Sequence, residues 1–135
     1  MSDIHSEEEL EQVAEFASRL FDLARSNDPQ ASIDLAAYID QGVDVDLMNH
    51  EGNTFAMLAA YCGNAQTLRA LIARGADVNK LNDRGQSPLA GAIFKKEMEI
   101  ISILLAAGAD PYAGHPSAVD TARMFGMDDL FTFLE

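Results

Sequence analysis

Apolar residues recur along this chain in short sets spaced for helices. Leu68, Leu71 and Ile72 stand at i, i+3 and i+4, on one helical face. Ile101, Leu104 and Leu105 repeat that face 33 residues later, and Leu35 and Ile39 hold two of the same places one period earlier. A glycine follows each set: Gly42, Gly75 and Gly108 open the near-copies GVDVD, GADVN and GADPY at the same 33-residue step. Just past a helix, glycine takes the left-handed conformation without a Cβ clash and so ends it. Gly52 with Thr54, and Gly85 with Ser87, keep the same step. A fixed period of this length predicts stacked copies of one supersecondary unit.

The polar residues complete the unit. The stretch GADVNKLNDRG, from Gly75 to Gly85, is rich in Asn, Asp and Gly and predicts a turn. Thr54 and Ser87 are the expected N-caps of a short following helix, with Pro88 at the first helical position. Each unit therefore runs turn, short helix, tight link, longer helix and turn. Near the start, Val13, Phe16, Ala17, Leu20, Phe21 and Ala24 make the amphipathic pattern of a long helix. It is entered through Ser6 and the acids Glu7 to Glu9, which suit the positive helix end. Asn27-Asp28-Pro29 breaks it, and Pro29 opens a second helix through Asp40.

After Tyr112 the turn is three residues shorter. Ser117 takes the place of Thr54 and Ser87, Ala122 that of Ala59, and Gly126 that of Gly63. Leu134 stands where Leu71 and Leu104 stood, in a clipped last helix. The expected architecture is a single all-α domain over residues 1–135, a solenoid of about four helix-turn-helix units with one continuous core. The expected bounds are 6–40 for an N-terminal capping unit, 41–73, 74–106, and 107–135 for the clipped unit. Met98 and Met127 are expected to fill gaps in the core. Phe131, Phe133 and Leu134, backed only by Asp128, Asp129 and Glu135, offer a C-terminal end able to dimerise weakly.

The units GNTFAMLAAYCGNAQTLRALIARGADVN and GQSPLAGAIFKKEMEIISILLAAGADPY resemble the ankyrin repeat family. Its wording runs roughly G-x-T-P-L-H-x-A-A-x-x-G, then a helix ending L-L-x-x-G-A-D. The likeness covers about 90 residues, from near Gly42 to the C-terminus. The family's proline is Phe55 in the first of these units, and its histidine, which ties adjacent turns, is replaced by Met57 and Ala90. The resemblance implies an ankyrin-repeat solenoid with β-turn fingers.

Composition narrows the setting. A chain of 135 residues can bury a core without disulfide staples, and its single cysteine, Cys62, has no internal partner. That fits a reducing interior. No apolar run approaches the roughly 18 residues of a membrane span. The first residues, among them Asp3 and His5, lack the basic and apolar regions of a secretory signal. A cytoplasmic protein is expected.

The net charge is −13, and residues 1–50 hold 12 acids against 2 bases, while residues 51–135 hold 10 against 7. Such a field repels nucleic acids and anionic membranes and favours a partner protein with a basic surface. Most of the acids are read as solvating a capping face. Arg84, Lys95 and Lys96 form a small contrary patch.

Chemistry is scarce. His5, His50 and His115 share no metal-ligand spacing, and no phosphate loop, dinucleotide fingerprint or nucleophile elbow is present. Asp44, Asp46, Asp77 and Asp110 recur within the repeat phrase, where acids serve the turn. Cys62 without a neighbouring histidine reads as a small packed hydrophobe. Neither an enzyme nor a cofactor or metal site is expected.

Stacked units present an extended concave face suited to another macromolecule. The family resemblance implies which residues face it. His50, Glu51, Asp83 and Arg84 precede the turn glycines, and Asn53 and Gln86 follow them. Tyr61, Cys62, Phe94, Lys95, Met124 and Phe125 mark the ends of the short helices. Aromatics beside arginine have the composition of a binding hot spot, although Tyr61 and Phe94 also fit a role packed between units. The expected function is a non-enzymatic module, a monomer that binds one partner protein through this face as adaptor or inhibitor. Short bacterial members of the family are linked to oxidative-stress enzymes. That resemblance implies an alternative, a small-ligand or haem-responsive protein with Cys62 or His50 as ligand beside Tyr61 and Phe94.

Overall fold

Side-chain oxygens decide where most of the helices begin. In the computed structural model, which describes residues 6–134 with side chains through Phe131, Ser6 accepts from the Glu9 N–H at the start of α1 (Glu7–Arg25). Asp28 caps α2 (Pro29–Asp40) through the Gln30 N–H. Thr54, Ser87 and Ser117 each accept from the N–H three residues on, opening α3 (Phe55–Tyr61), α5 (Pro88–Phe94) and α7 (Ala118–Met124). Between them run α4 (Ala65–Ala73) and α6 (Met98–Ala106), and a 3-10 segment, Asp128–Leu134, follows α7. The expectations placed on Asp3, His5, Phe133, Glu135 and the Leu134 side chain lie outside the described residues.

The helices form two layers. The end of α1 packs on α3, α3 on α5 and α5 on α7, making the inner row. Helices α2, α4 and α6 make the outer row, each joined to its inner neighbour. Small residues allow the inner helices to approach: Ala56, Ala59, Ala60, Ala92 and Ala122 are all fully buried. Leu35, Leu68, Leu71, Ile101 and Leu104 fill the space between the rows, so the periodic face is the core-facing one. Truncating any of these leucines to alanine would cost about 2–5 kcal/mol. Phe55, which replaces the expected proline, is wholly buried with its ring centroid 4.8 Å from that of Phe21. It seals the joint between α1 and the repeats.

The turns form a ladder of their own. In the first finger the Asn49 N–H donates to the Asn53 carbonyl and the Gly52 N–H to Asn49; Asn82, Gln86 and Gly85 repeat both bonds. With histidine absent at 57 and 90, other groups tie finger to finger. The Asp83 N–H donates to the Glu51 carbonyl at 3.0 Å, and Asn82 Nδ2 donates to Asn53 Oδ1 at 2.9 Å. The His115 N–H reaches the Gly85 carbonyl at 3.0 Å. The aspartates of the repeat phrase serve the turns as expected: Asp44, Asp77 and Asp110 each accept from the N–H two residues on. Asp46 and Asn79 cross to the next turn, accepting from the Asp77 and Asp110 N–H groups.

Two expectations are corrected. Met98 fills no gap: it opens α6 at the surface and is 51% exposed, because Ile100, Ile101 and Leu104 already occupy the buried face. Phe131 is not an uncovered ring for dimerisation. It is 5% exposed and closes the core where Leu68 and Ile101 close earlier layers, within a 3-10 segment rather than an α-helix. Met127 does pack against the core.

Two outcomes follow from these contacts. Gly114 has φ of +87°, and a Cβ there would stand 2.8 Å from the Gly85 carbonyl oxygen, which is fixed backbone. Gly114→Ala should therefore cost about 1–3 kcal/mol, read as a lowered urea midpoint. Across the outer row Arg74 grips Asp40 with two bonds, of 2.8 and 3.1 Å, and these hold the Asp40 carboxyl below its ordinary range. A depressed folded pKa gives stability that is present above the unfolded value of about 3.9 and lost as pH falls through the folded one. On acidification through that window, wild type should lose more stability than Asp40→Asn in urea titrations at each pH.

Candidate interaction groove

Each inner helix leaves its last residue exposed. Arg25, Tyr61, Phe94 and Met124 end α1, α3, α5 and α7, just past the alanine contacts that hold the row together. All four line adjoining hollows. One hollow, of about 400 Å³, lies among Tyr61, Phe94, Met124, Pro116 and Gln86, floored by Met57, Ala90 and Gly91. Its neighbour, of about 460 Å³, lies among Arg25, Glu51, Asn53, Cys62, Asn82 and Arg84. Met57, Tyr61 and Gln86 border both, so the two form one groove with an apolar end and a polar end.

The aromatic residues stand in water. Tyr61 is 44% exposed and Phe94 55%, so neither is buried between units, although each ring touches the next unit along one edge. The Phe94 and Phe125 rings meet edge to face, with centroids 5.6 Å apart. Lys95 Nζ lies 4.9 Å from the centroid of the Tyr61 ring, within cation–π range. The polar end is held by one side chain. Asn82 Oδ1 accepts from the N–H groups of Arg84 and Gln86, and its Nδ2 donates to Gln86 Oε1 and Asn53 Oδ1. The backbone that carries Arg84 and Gln86 is thereby held in place.

Most of the residues expected at the concave face meet there. Glu51, Asn53, Tyr61, Cys62, Arg84, Gln86, Phe94 and Met124 line the hollows, and Lys95 and Phe125 lean on residues that do. His50 and Asp83 line neither hollow. His50 stands at a finger tip with 86% of its side chain exposed, 3.8 Å from Glu51. Asp83 is taken up by the finger ladder, its N–H on Glu51 and its side chain against Gly52. The alternative reading needed a ligand beside Tyr61 and Phe94; Cys62 shares a hollow with Tyr61, and among the described residues no histidine lines either hollow. Among the described residues no three of His, Cys, Asp or Glu gather to hold a metal ion.

Sequence reasoning missed Met57, Ala90, Gly91, Pro116 and Arg25. Met57 and Ala90 were legible as replacements of a histidine, yet their effect, an apolar groove floor, appears only when the helices are laid side by side. Arg25 ends α1 as Tyr61 ends α3, a correspondence hidden by the greater length of α1. On the opposite side a shallower hollow between α4 and α6 is crossed by the Arg69–Glu99 pair at 3.2 Å, so its charges are already matched.

Comparison with known proteins agrees with this architecture. The ankyrin repeats family, in three copies, matches residues 20–114. An ankyrin repeat protein of Pseudomonas aeruginosa is 44% identical over 55 residues, which are 41% of this chain and 30% of that protein. The chain thus spans under a third of the length of the relative it matches. No helix among the described residues is long and apolar enough to cross a membrane. Ankyrin repeats generally mediate protein–protein interaction and are generally not catalytic. Matched over more than half of its length, the chain belongs to the ankyrin repeat family.

Proposed function

We propose that the groove binds a single partner protein, and that the chain works as an adaptor or inhibitor through a preformed surface and not by chemistry. The observation that carries this reading is the meeting of Tyr61, Phe94 and Met124, all exposed, around one hollow with Arg84 in the next. Aromatic residues that neither pack inward nor lie apart from one another mark an interaction surface. Aromatic and arginine side chains at its centre are the residue types that dominate binding energies. The groove is the product of the four units at 6–40, 41–73, 74–106 and 107–135, with rigidity supplied by the finger ladder. The partner meets the chain in the cytoplasm, as one free thiol suits, and the chain acts as a monomer. The acid-rich first 50 residues favour basic residues on the part of the partner that lies outside the groove.

Tyr61, Arg84 and Phe94 changed together to alanine should weaken partner binding by about a hundredfold or more while the far-ultraviolet circular dichroism stays unchanged. Affinity purification from the native cell with that variant as control makes the comparison. Equal recovery of the same partners by both proteins would sink the site assignment. Filling the groove tests the same idea without removing a contact. A Cβ at Gly91 would lie 3.6 Å from the Tyr61 ring, an ordinary contact, so the helix accepts a side chain there. Gly91→Leu should occupy the apolar hollow and lower partner affinity about tenfold or more, measured by calorimetric titration with the recovered partner.

A further inference from the structure

Charge is unevenly divided along the array. Residues 6–40 carry nine acids and two bases, residues 41–73 three and one, and residues 107–135 five and one. Residues 74–106 reverse the balance, with five bases and four acids. Most arginines elsewhere are engaged: Arg25, Arg69 and Arg123 each pair with a carboxylate of this chain. Within 74–106, Arg74 holds Asp40, but Arg84 and Lys95 pair with no carboxylate among the described residues. Both border the groove, Arg84 in its polar end and Lys95 over the Tyr61 ring. Among the described residues Glu51 is the one acid that lines either hollow.

Resting on the groove reading above, we infer that the inserted segment carries an aromatic or long aliphatic side chain with a carboxylate beside it. The apolar group sits between Tyr61 and Phe94, and the carboxylate faces Arg84 and Lys95. The chain's overall negative charge does not oppose this. At physiological salt, exposed charges are screened beyond about 8 Å, so the groups in contact decide the sign that is accepted. Lys95 is within contact range of the ring that borders both hollows, so the apolar anchor and the carboxylate lie about one or two residues apart on an extended segment. Two unpaired cations beside an aromatic hollow leave a desolvation cost that a carboxylate offsets and a lysine would raise.

The test is selection of a random-peptide display library on the full chain, followed by affinity measurement of the recovered peptides. Sequences enriched in Asp or Glu next to Phe, Tyr, Trp or Leu are expected. Their affinity should fall with added salt, and should drop about tenfold or more in Arg84→Glu with Lys95→Glu. Recovery of lysine- or arginine-rich peptides, of peptides without charge preference, or of none overturns the inference. If such peptides still lose affinity in Tyr61→Ala with Phe94→Ala, the groove reading survives and only its charge preference fails. Acidic peptides that bind that alanine variant as well as wild type overturn both.

Discussion

The molecule depends on the fit of one inner helix against the next. Fully buried alanines, Ala59 on α3, Ala92 on α5 and Ala122 on α7, keep the contact narrow, and the larger side chains of the outer row fill what remains. A single unit cannot cover its own apolar face, so each is stable only because a neighbour leans on it. The ends need different solutions. Phe21 and Phe55 close the joint with α1, and Phe131 closes the last layer from a short 3-10 turn.

That narrow contact also creates the groove. Helices of seven residues end where the alanine seam ends, and the next side chain has no neighbouring helix to enter. Tyr61, Phe94 and Met124 are therefore pushed outward in sequence order along one wall. The fingers supply the opposite wall, tied to one another by backbone bonds from Asp83 to Glu51 and from His115 to Gly85. Loss of the family's turn-tying histidine has two linked effects. The tie passes to Asn82, and the vacated positions, now Met57 and Ala90, turn the groove floor apolar.

The acids, conspicuous in the composition, stay at the margins of this surface apart from Glu51. Several are spent within turns or on arginines of the outer row, as Asp44, Asp77, Asp110 and Asp40 are. The groove itself carries cations with aromatic neighbours. Net charge thus describes how the whole chain is seen from afar, while the groove has a different local balance.

The 33-residue step, the N-caps at Thr54, Ser87 and Ser117 and the break at Pro29 were all legible along the chain, because helix starts and core faces depend on residues a few positions apart. The aromatic ends of the short helices could be named for the same reason. Their exposure could not, since Tyr61 and Met98 carry the same local signature whether a neighbouring helix covers them or not. Only the stacking of rows decided that Met98 faces water, that Phe131 is buried, and that Arg25, from a helix of different length, joins Tyr61 in one groove. Periodicity is a local property of the chain, whereas burial belongs to pairs of elements brought together from afar.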